Sequence, residues 1–284
     1  MTQLLGVPKP FAFEAVSAWL PRLALSQGAA LSEVASFLGV RLGGDVDRKV
    51  IGECLSQVRR TCSLPDSAFA IAERIMQSLD LIKPMGNKFM AKRVGSRSRF
   101  RFCACCLLEM KTPHFPIHWR FIAWRRCPVH DCLLEDACPH CDAPILFPTC
   151  IQESMSGRAG HAGLDHCLSC SKRLTSVLPC RLEINEARLI NPWEDQQLAN
   201  GRALLAALVR QTFRVEGRGV NFRLPSLAVV MSKRAFPERF DWLTPEMLRT
   251  RLSQGCPTTL SRAHLGRNQL GHEQVHSTRR RPVA

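Results

Sequence analysis

The chain has no long hydrophobic run. None of its apolar stretches reaches the roughly 18 to 20 residues that a membrane-spanning helix needs. Its first residues, MTQLLGVPKPFAFE, also lack the basic stretch followed by an apolar one that marks a secretory signal. The sequence therefore argues against a membrane-spanning or secreted protein. We expect a cytoplasmic protein that has no membrane partner.

Sequence signatures of common catalytic sites are missing as well. The chain contains no Gly-x-Ser-x-Gly motif, no His-Glu-x-x-His motif and no phosphate-binding Gly-x4-Gly-Lys motif. The His-x-Glu signature of zinc deaminases is absent too, since His130 is followed by Asp131 and Cys132. We predict no catalytic residues and expect that the protein is not an enzyme.

Acidic residues are scarce relative to basic ones. The 24 Asp and Glu face 39 Lys and Arg, which gives a net charge of +15 and a sequence pI near 9.6. Most of the basic residues are Arg, whose planar side chain suits bidentate contacts with phosphates and guanine edges. The charge favours a polyanionic partner, with nucleic acid ahead of an anionic membrane.

The composition is that of a folded protein, with 45% hydrophobic and 22% charged residues in a length of 284. We predict a mainly α fold with small zinc-ribbon or zinc-finger modules. The predicted parts are an N-terminal helical, helix-turn-helix-like domain over 8–92, a basic double zinc-finger region over 93–180, a C-terminal helical segment over 181–256 and a flexible basic tail over 257–284.

Helical periodicity defines the N-terminal domain. Apolar residues at helical spacing between Val16 and Leu23, and again between Leu31 and Leu38, predict two short helices around a turn at Gly28. Such a pair either reads DNA as a helix-turn-helix or forms an ordinary helical hairpin. A third helix is predicted over 51–62, and Asp66 is predicted to cap a fourth.

The C-terminal part carries weaker signals. Leu198, Leu204, Leu205 and Leu208 predict a helix, and the sequence from Leu243 to Glu246 resembles another helix start.

Cysteine spacing carries the clearest chemical signal. A cytosolic protein keeps its thiols reduced, so the 14 cysteines do not predict a disulfide framework. Eight Cys and His residues instead form four pairs with two-residue gaps, which is the spacing of zinc-binding turns. We predict two Zn²⁺ sites, whose ligands are Cys103, Cys106, Cys127 and His130 in the first and Cys138, Cys141, Cys167 and Cys170 in the second.

Both predicted sites have four protein ligands and no position for water, so we expect them to be structural. Four further cysteines that fall outside the pairs, Cys105, Cys132, Cys150 and Cys180, are predicted to be packing residues, with Cys105 as an alternative ligand because it adjoins Cys106. Five further histidines are predicted to lie in turns or on the surface, namely His114, His118, His140, His161 and His166. His166 is the alternative ligand among them because it adjoins Cys167.

Positive charge is concentrated in the same part of the chain. Residues 91–130 contain nine basic side chains and one acidic side chain, Glu109. A solvated face normally mixes both signs of charge, so this window favours a phosphate-facing surface over a merely solvated one.

The order of these motifs resembles the TniQ family of TnsD-like target-selection proteins. The resemblance extends over roughly residues 8 to 170 and begins with the N-terminal Ser17-Ala-Trp19-Leu20 segment and the Gly28, Leu31 and Gly39 positions. It continues through the double zinc-finger block, carried by Arg101-Phe-Cys103-Ala-Cys-Cys106-Leu107, Trp119-Arg120, Cys127-Pro-Val-His130, Leu133-Leu134 and Cys138-Pro-His-Cys141.

This resemblance implies a non-enzymatic adaptor in DNA transposition. Such a protein recognises the target, either as DNA or through a bound complex such as an RNA-guided effector. It then recruits an AAA+ ATPase of the TniB or TnsC type, which engages a DDE transposase, and a homodimer is also worth testing. In this interpretation zinc fixes the loops that hold the phosphate-contacting residues, which are Arg93, Arg97, Arg99, Arg101, Arg120, Arg125 and Arg126.

Two other functions fit the residues alone. The chain could be a zinc-ribbon transcriptional regulator that reads DNA by itself, or an interaction scaffold whose basic face meets an acidic protein. A steep salt dependence of DNA binding would separate the adaptor and the transcriptional regulator, which both bind DNA, from the scaffold.

Overall fold

The structure, a computed structural model, describes residues 3–83, 85–91, 93–130, 132–149, 163–176, 192–215, 220–227 and 259–260. These residues are mostly helical, with small sheets. The N-terminal helices are α1 (Val16–Gln27), α2 (Leu31–Phe37), α3 (Val46–Lys49), α4 (Leu55–Thr61) and α5 (Ala70–Leu81).

The predicted turn between the first two helices is present. Gly28 has φ 61°, a left-handed conformation that glycine adopts without steric cost, and its N–H donates to the Ala24 and Leu25 carbonyls at the end of α1. At the start of α2, the Glu33 carboxylate accepts a hydrogen bond from the Ala30 N–H at 2.8 Å. The periodicity of the apolar residues therefore located both helices.

Two predictions in this region were wrong in detail. The third helix is not uniform, because a π-helical turn over Val50–Cys54 precedes α4. Asp66 does not cap the fourth helix, since α5 begins after Phe69, which has φ 62°. The spacing of apolar residues indicates which face of a helix is buried, but it does not fix the residue at which the helix begins.

The following region contains short elements around many turns. Strand β1 (Ser98–Phe100) pairs antiparallel with β2 (Ile145–Phe147), and between them lie α6 (Ala104–Glu109) and a 3₁₀ turn over Ile117–Arg120. The sequence analysis missed these strands, because a three-residue segment is too short to show an alternating pattern.

Further along, the predicted C-terminal helix is present as α7 (Pro192–Arg210) and is followed by a small sheet. Strand β3 (Thr212–Val215) pairs antiparallel with β4 (Asn221–Arg223) and parallel with β5 (Thr259–Leu260). Of the predicted tail over 257–284, the structure describes Thr259 and Leu260, which form β5. The predicted helix start at Leu243–Glu246, Cys150, Cys180 and His161 lie outside the described residues.

One hydrophobic core runs from the N-terminal helices into the cysteine-rich region. The Ala15 N–H donates to the Phe115 carbonyl at 3.0 Å, and the Ile117 N–H donates to the Phe13 carbonyl at 2.7 Å. Helix α7 packs on α5, where the Ser78 hydroxyl donates to the Leu208 carbonyl at 2.6 Å. The division into four parts stays a prediction.

No helix within the described part of the chain combines the length and the apolar character needed to cross a membrane.

Candidate metal centres and basic surface

The first candidate centre forms where α6 meets the turn at 127–130. The Cys103 sulfur caps α6 by accepting the Cys106 N–H at 3.4 Å, which directs both thiols to one side. His130 Nδ1 lies 3.5 Å from Cys103 Sγ, 3.3 Å from Cys106 Sγ and 3.5 Å from Cys127 Sγ. The structure therefore brings together three thiols and one imidazole from segments more than 20 residues apart.

The second candidate centre consists of four thiols from two turns. Cys138 Sγ lies 3.7 Å from Cys170 Sγ, and Cys141 Sγ lies 3.6 Å from Cys167 Sγ. Cys138 and Cys167 are buried, whereas Cys141 is exposed, so the group lies at the protein surface. All four predicted residues of this group are brought together.

The spacing of both groups suits a tetrahedral zinc ion. Bonds of about 2.3 Å to sulfur and 2.0–2.1 Å to nitrogen separate the ligand atoms of a tetrahedron by roughly 3.5 to 3.8 Å. The ligand atoms within each group lie within 4.8 Å of one another, and the individual separations given above are 3.3 to 3.7 Å. Both groups are positioned to bind a metal ion.

The two turns of the second centre share one backbone design. The His140 and Ser169 N–H groups donate to the sulfurs of Cys138 and Cys167, each at 3.4 Å. The residue after each pair, Asp142 or Ser171, has φ near +60°, and the chain then turns back. This local geometry explains why a two-residue gap is sufficient to predict that the paired side chains converge.

His130 is oriented by a residue that the sequence analysis did not single out as functional. Its Nε2 lies 2.8 Å from a carboxylate oxygen of Glu109, on the last turn of α6. A carboxylate at one ring nitrogen fixes the tautomer that leaves the other nitrogen free to bind metal. The sequence did contain a signal for this role, because Glu109 is the one acidic residue in the basic window over residues 91–130.

The thiols of the first centre influence one another. Hydrogen bonds from the neighbouring thiols of Cys106, Cys127 and Cys132 lower the pKa of Cys103 far below its usual range. The hydrogen bond with Cys103 raises the pKa of Cys106 correspondingly. The thiolate is the form of cysteine that binds metal.

Among the residues that the structure describes, the other cysteines and histidines lie outside the two groups. Cys105 is half-buried and His166 bonds to Asp165 at 3.0 Å, so neither alternative ligand joins a group. His140 contacts the Ser176 hydroxyl at 2.7 Å. Cys132 is buried as predicted, but it also lies 3.5 Å from the Cys103 sulfur, which the sequence analysis missed.

The predicted phosphate-contacting arginines divide into two sets, one that is at least partly exposed and one whose side chains are used in contacts inside the protein. Arg93 and Arg97 are exposed, and Arg99, Arg125 and Arg126 are partly exposed. Arg99 and Arg125 both lie close enough to Arg101 to lower its pKa, so part of the basic window is clustered in space.

The prediction for Arg120 was wrong. Only 1% of its side chain is exposed, and its guanidinium bonds to Asp45 at 2.7 Å and to Asp47. Asp47 also accepts hydrogen bonds from the Ser17 N–H and hydroxyl, both at 2.7 Å. Arg120 thus joins the 3₁₀ turn to α1 and α3, because a buried arginine requires charged partners.

Arg101 likewise has a role in the fold. Its Nε donates to Asp136 at 2.6 Å, and its Nη1 donates to the Phe121 and Ile122 carbonyls at 3.2 and 2.8 Å. Burial lowers its pKa, although Asp136 opposes this effect. The phosphate-contact prediction was wrong here as well, because these donors are already used inside the protein.

Part of the chain is similar to a known protein family. The model of the TniQ family matches residues 5–134. This range includes the N-terminal helices and all four ligands of the first centre, and it ends before Cys138 of the second. A search of curated proteins gave no match.

Proposed function

Because this chain belongs to the TniQ family, whose members act in DNA transposition, we propose that it is a zinc-binding transposition accessory protein. In this proposal it recognises the target and recruits an AAA+ ATPase of the TniB or TnsC type, and through it a DDE transposase. The family match over residues 5–134 is the observation that carries the proposal.

The donor chemistry of the two groups supports zinc. Three thiols with one imidazole, and four thiols, are the ligand sets of closed structural zinc sites. Zinc bound there would cross-link the turns, and no ligand position would remain for a reacting water. In this proposal the protein therefore has no catalytic activity of its own.

The exposed and partly exposed arginines support a role at nucleic acid. We propose that Arg93, Arg97, Arg99, Arg125 and Arg126 contact phosphates, either of target DNA or of a nucleic acid in a bound complex. Arg125 and Arg126 directly precede Cys127, so the first centre would fix the loop that carries them. Arg97 and Arg99 lie on or beside β1, which the sheet pairing with β2 holds in place.

Salt-dependent binding tests the basic surface. Replacing Arg97, Arg99, Arg125 and Arg126 by Ala should weaken DNA binding and flatten the plot of log K against log salt by roughly one for each lost phosphate contact. The matched control removes four exposed charges elsewhere, at Lys9, Arg41, Arg60 and Lys88. Equal affinity and slope in the two variants would contradict a phosphate-facing surface in the basic window.

Reconstitution tests the adaptor role. With the cognate ATPase and transposase, omission of this chain should abolish target choice or make it random, whereas the transposase retains strand-transfer chemistry. Nucleotide hydrolysis or DNA cleavage by this chain alone, lost in a folded variant of a zinc ligand, would contradict the proposal.

A further inference from the structure

Cys132 lies beside the first centre although it belongs to neither group of four. Its side chain is fully buried, and its sulfur lies 3.5 Å from Cys103 Sγ. The sulfurs of Cys106 and Cys127, two members of the first centre, are also 3.5 Å apart. The first centre therefore has a fifth sulfur at ligand distance from one of its members.

The backbone does not require a cysteine at this position. Cys132 is the fifth residue after Cys127, and its carbonyl accepts the Cys127 N–H at 2.8 Å. In the two turns of the second centre the corresponding carbonyls belong to Ala143 and Lys172, with the same distance of 2.8 Å. The turn forms equally with alanine or lysine there, so the thiol of Cys132 is not explained by the turn.

His130 is the member of the first centre whose orientation depends on an exposed group. Glu109, which holds the Nε2 of His130, has 66% of its side chain exposed. An exposed carboxylate is screened by solvent and holds its partner weakly. The thiols of Cys103 and Cys127, in contrast, belong to buried residues.

We propose that Cys132 is a reserve ligand, whose sulfur replaces His130 Nδ1 and completes a set of four thiolates with Cys103, Cys106 and Cys127. The Cys132 thiol loses its proton on binding, and the departing imidazole or solvent accepts it. A set of four thiolates is as suitable for structural zinc as three thiolates with one imidazole. This inference rests on the proposed occupancy of the first centre by zinc.

Cobalt substitution of the full chain tests the proposal, because thiolate-to-metal charge-transfer absorbance grows with the number of thiolates bound. The unmodified chain should bind two Co²⁺ through seven thiolates. His130→Ala should still bind two Co²⁺, now through eight thiolates. Its charge-transfer absorbance should exceed that of the unmodified chain in the ratio of eight thiolates to seven. His130→Ala combined with Cys132→Ala should bind one, whereas His130→Ala combined with Cys105→Ala, the matched control, should keep two.

The outcomes separate this inference from the proposed zinc sites. A His130→Ala chain that binds one Co²⁺, or two with no gain in charge-transfer absorbance, overturns the reserve-ligand role and leaves both centres as proposed. An unmodified chain that binds fewer than two ions contradicts the proposed zinc sites themselves.

A second measurement decides the question if His130→Ala does not fold. Cys132→Ala, with His130 intact, should release zinc to a competing chelator faster by about tenfold, the lower end of the effect of altering groups around a metal site. Cys62→Ala, at a buried cysteine of the N-terminal core, should release zinc at the unmodified rate. A Cys132→Ala chain that releases zinc at that same rate overturns the proposal.

Discussion

Among the individual residues, Arg120 has a charge that is used in contacts within the fold and not in contact with a ligand. Its guanidinium is buried between Asp45 and Asp47, which belong to the start of α3. Burial raises the pKa of Asp45, but the charge and the hydrogen bonds of Arg120, together with the contacts of Arg48, outweigh burial and hold this pKa below its usual value. This buried group of charges links the N-terminal helices to the cysteine-rich region.

We predict that Arg120→Met lowers the free energy of unfolding by about 3–5 kcal/mol, because it leaves buried carboxylates without their partner. Denaturant unfolding measures the change. Arg97→Met, at an exposed arginine, should change stability by no more than about 0.5 kcal/mol. Adding Asp45→Asn and Asp47→Asn should recover part of the loss, and equal stability of the Arg120 and Arg97 variants would contradict the role assigned to Arg120.

His118 provides a pH-dependent prediction. Its ring contacts Phe13 and Trp124, and burial, with a smaller contribution from His114, lowers its pKa to about 3. Between that value and the ordinary 6.5, the unfolded chain binds a proton that the folded chain does not. Stability should therefore fall as pH drops from 6.5 toward 3.

His118→Phe should show a smaller loss of stability over this range, as measured by denaturant unfolding at several pH values. Protonation of the proposed zinc ligands would also destabilise the fold in acid, but it would affect both proteins, so the difference between their slopes isolates His118. Identical slopes would show that His118 does not remain neutral in the folded protein.

At the scale of the element, the end of α5 depends on a close approach of backbone to backbone. A Cβ at Gly86 would lie 2.2 Å from the Leu79 carbonyl oxygen of α5. Because this neighbour is backbone and not a flexible side chain, the chain must shift to admit any larger residue.

Gly86→Ala should accordingly destabilise the protein by about 1–3 kcal/mol. Gly52→Ala is the matched control, since a Cβ at Gly52, in the π-helical turn, meets no atom within 4 Å. That substitution should be neutral, or should stabilise by about 0.5–1 kcal/mol through reduced freedom of the unfolded chain. Thermal or denaturant unfolding of both variants checks the pair, and equal stabilities would contradict the predicted clash.

At the scale of the whole molecule, the shared core connects metal binding to the N-terminal helices. Trp19 in α1 and Trp119 and Trp124 beside the first centre are all buried in the same core. Structural zinc is coupled to folding by something on the order of 10 kcal/mol or more. Loss of metal should therefore affect residues far from the centres.

We predict two zinc ions per chain, and that exhaustive chelation unfolds the N-terminal helices together with the cysteine-rich region. Far-ultraviolet circular dichroism and tryptophan fluorescence should change in one transition. Cys138→Ser should lose one zinc ion and destabilise the protein, whereas Cys54→Ser, at a half-buried cysteine outside both groups, should keep both ions. If the N-terminal helices remain folded after chelation, the core does not unfold as one cooperative unit.

Features that depend on neighbouring residues were predictable without the fold. Cys138 and Cys141 converge because one short turn carries both, so their spacing alone predicted the pair. Gly28 ends α1 because the left-handed conformation is a local preference. The net charge and the concentration of arginine likewise required no knowledge of the fold.

Tertiary structure decided everything that depends on contacts between distant segments. Arg120 meets Asp47 across 73 residues of sequence, Glu109 meets His130 across 21, and Cys132 approaches Cys103 across 29. Charge and residue type alone do not distinguish an arginine that faces solvent from one buried in an ion pair. Burial and pairing arise only when the core assembles, and this is why the two groups of Cys and His were predictable whereas the residues around them were not.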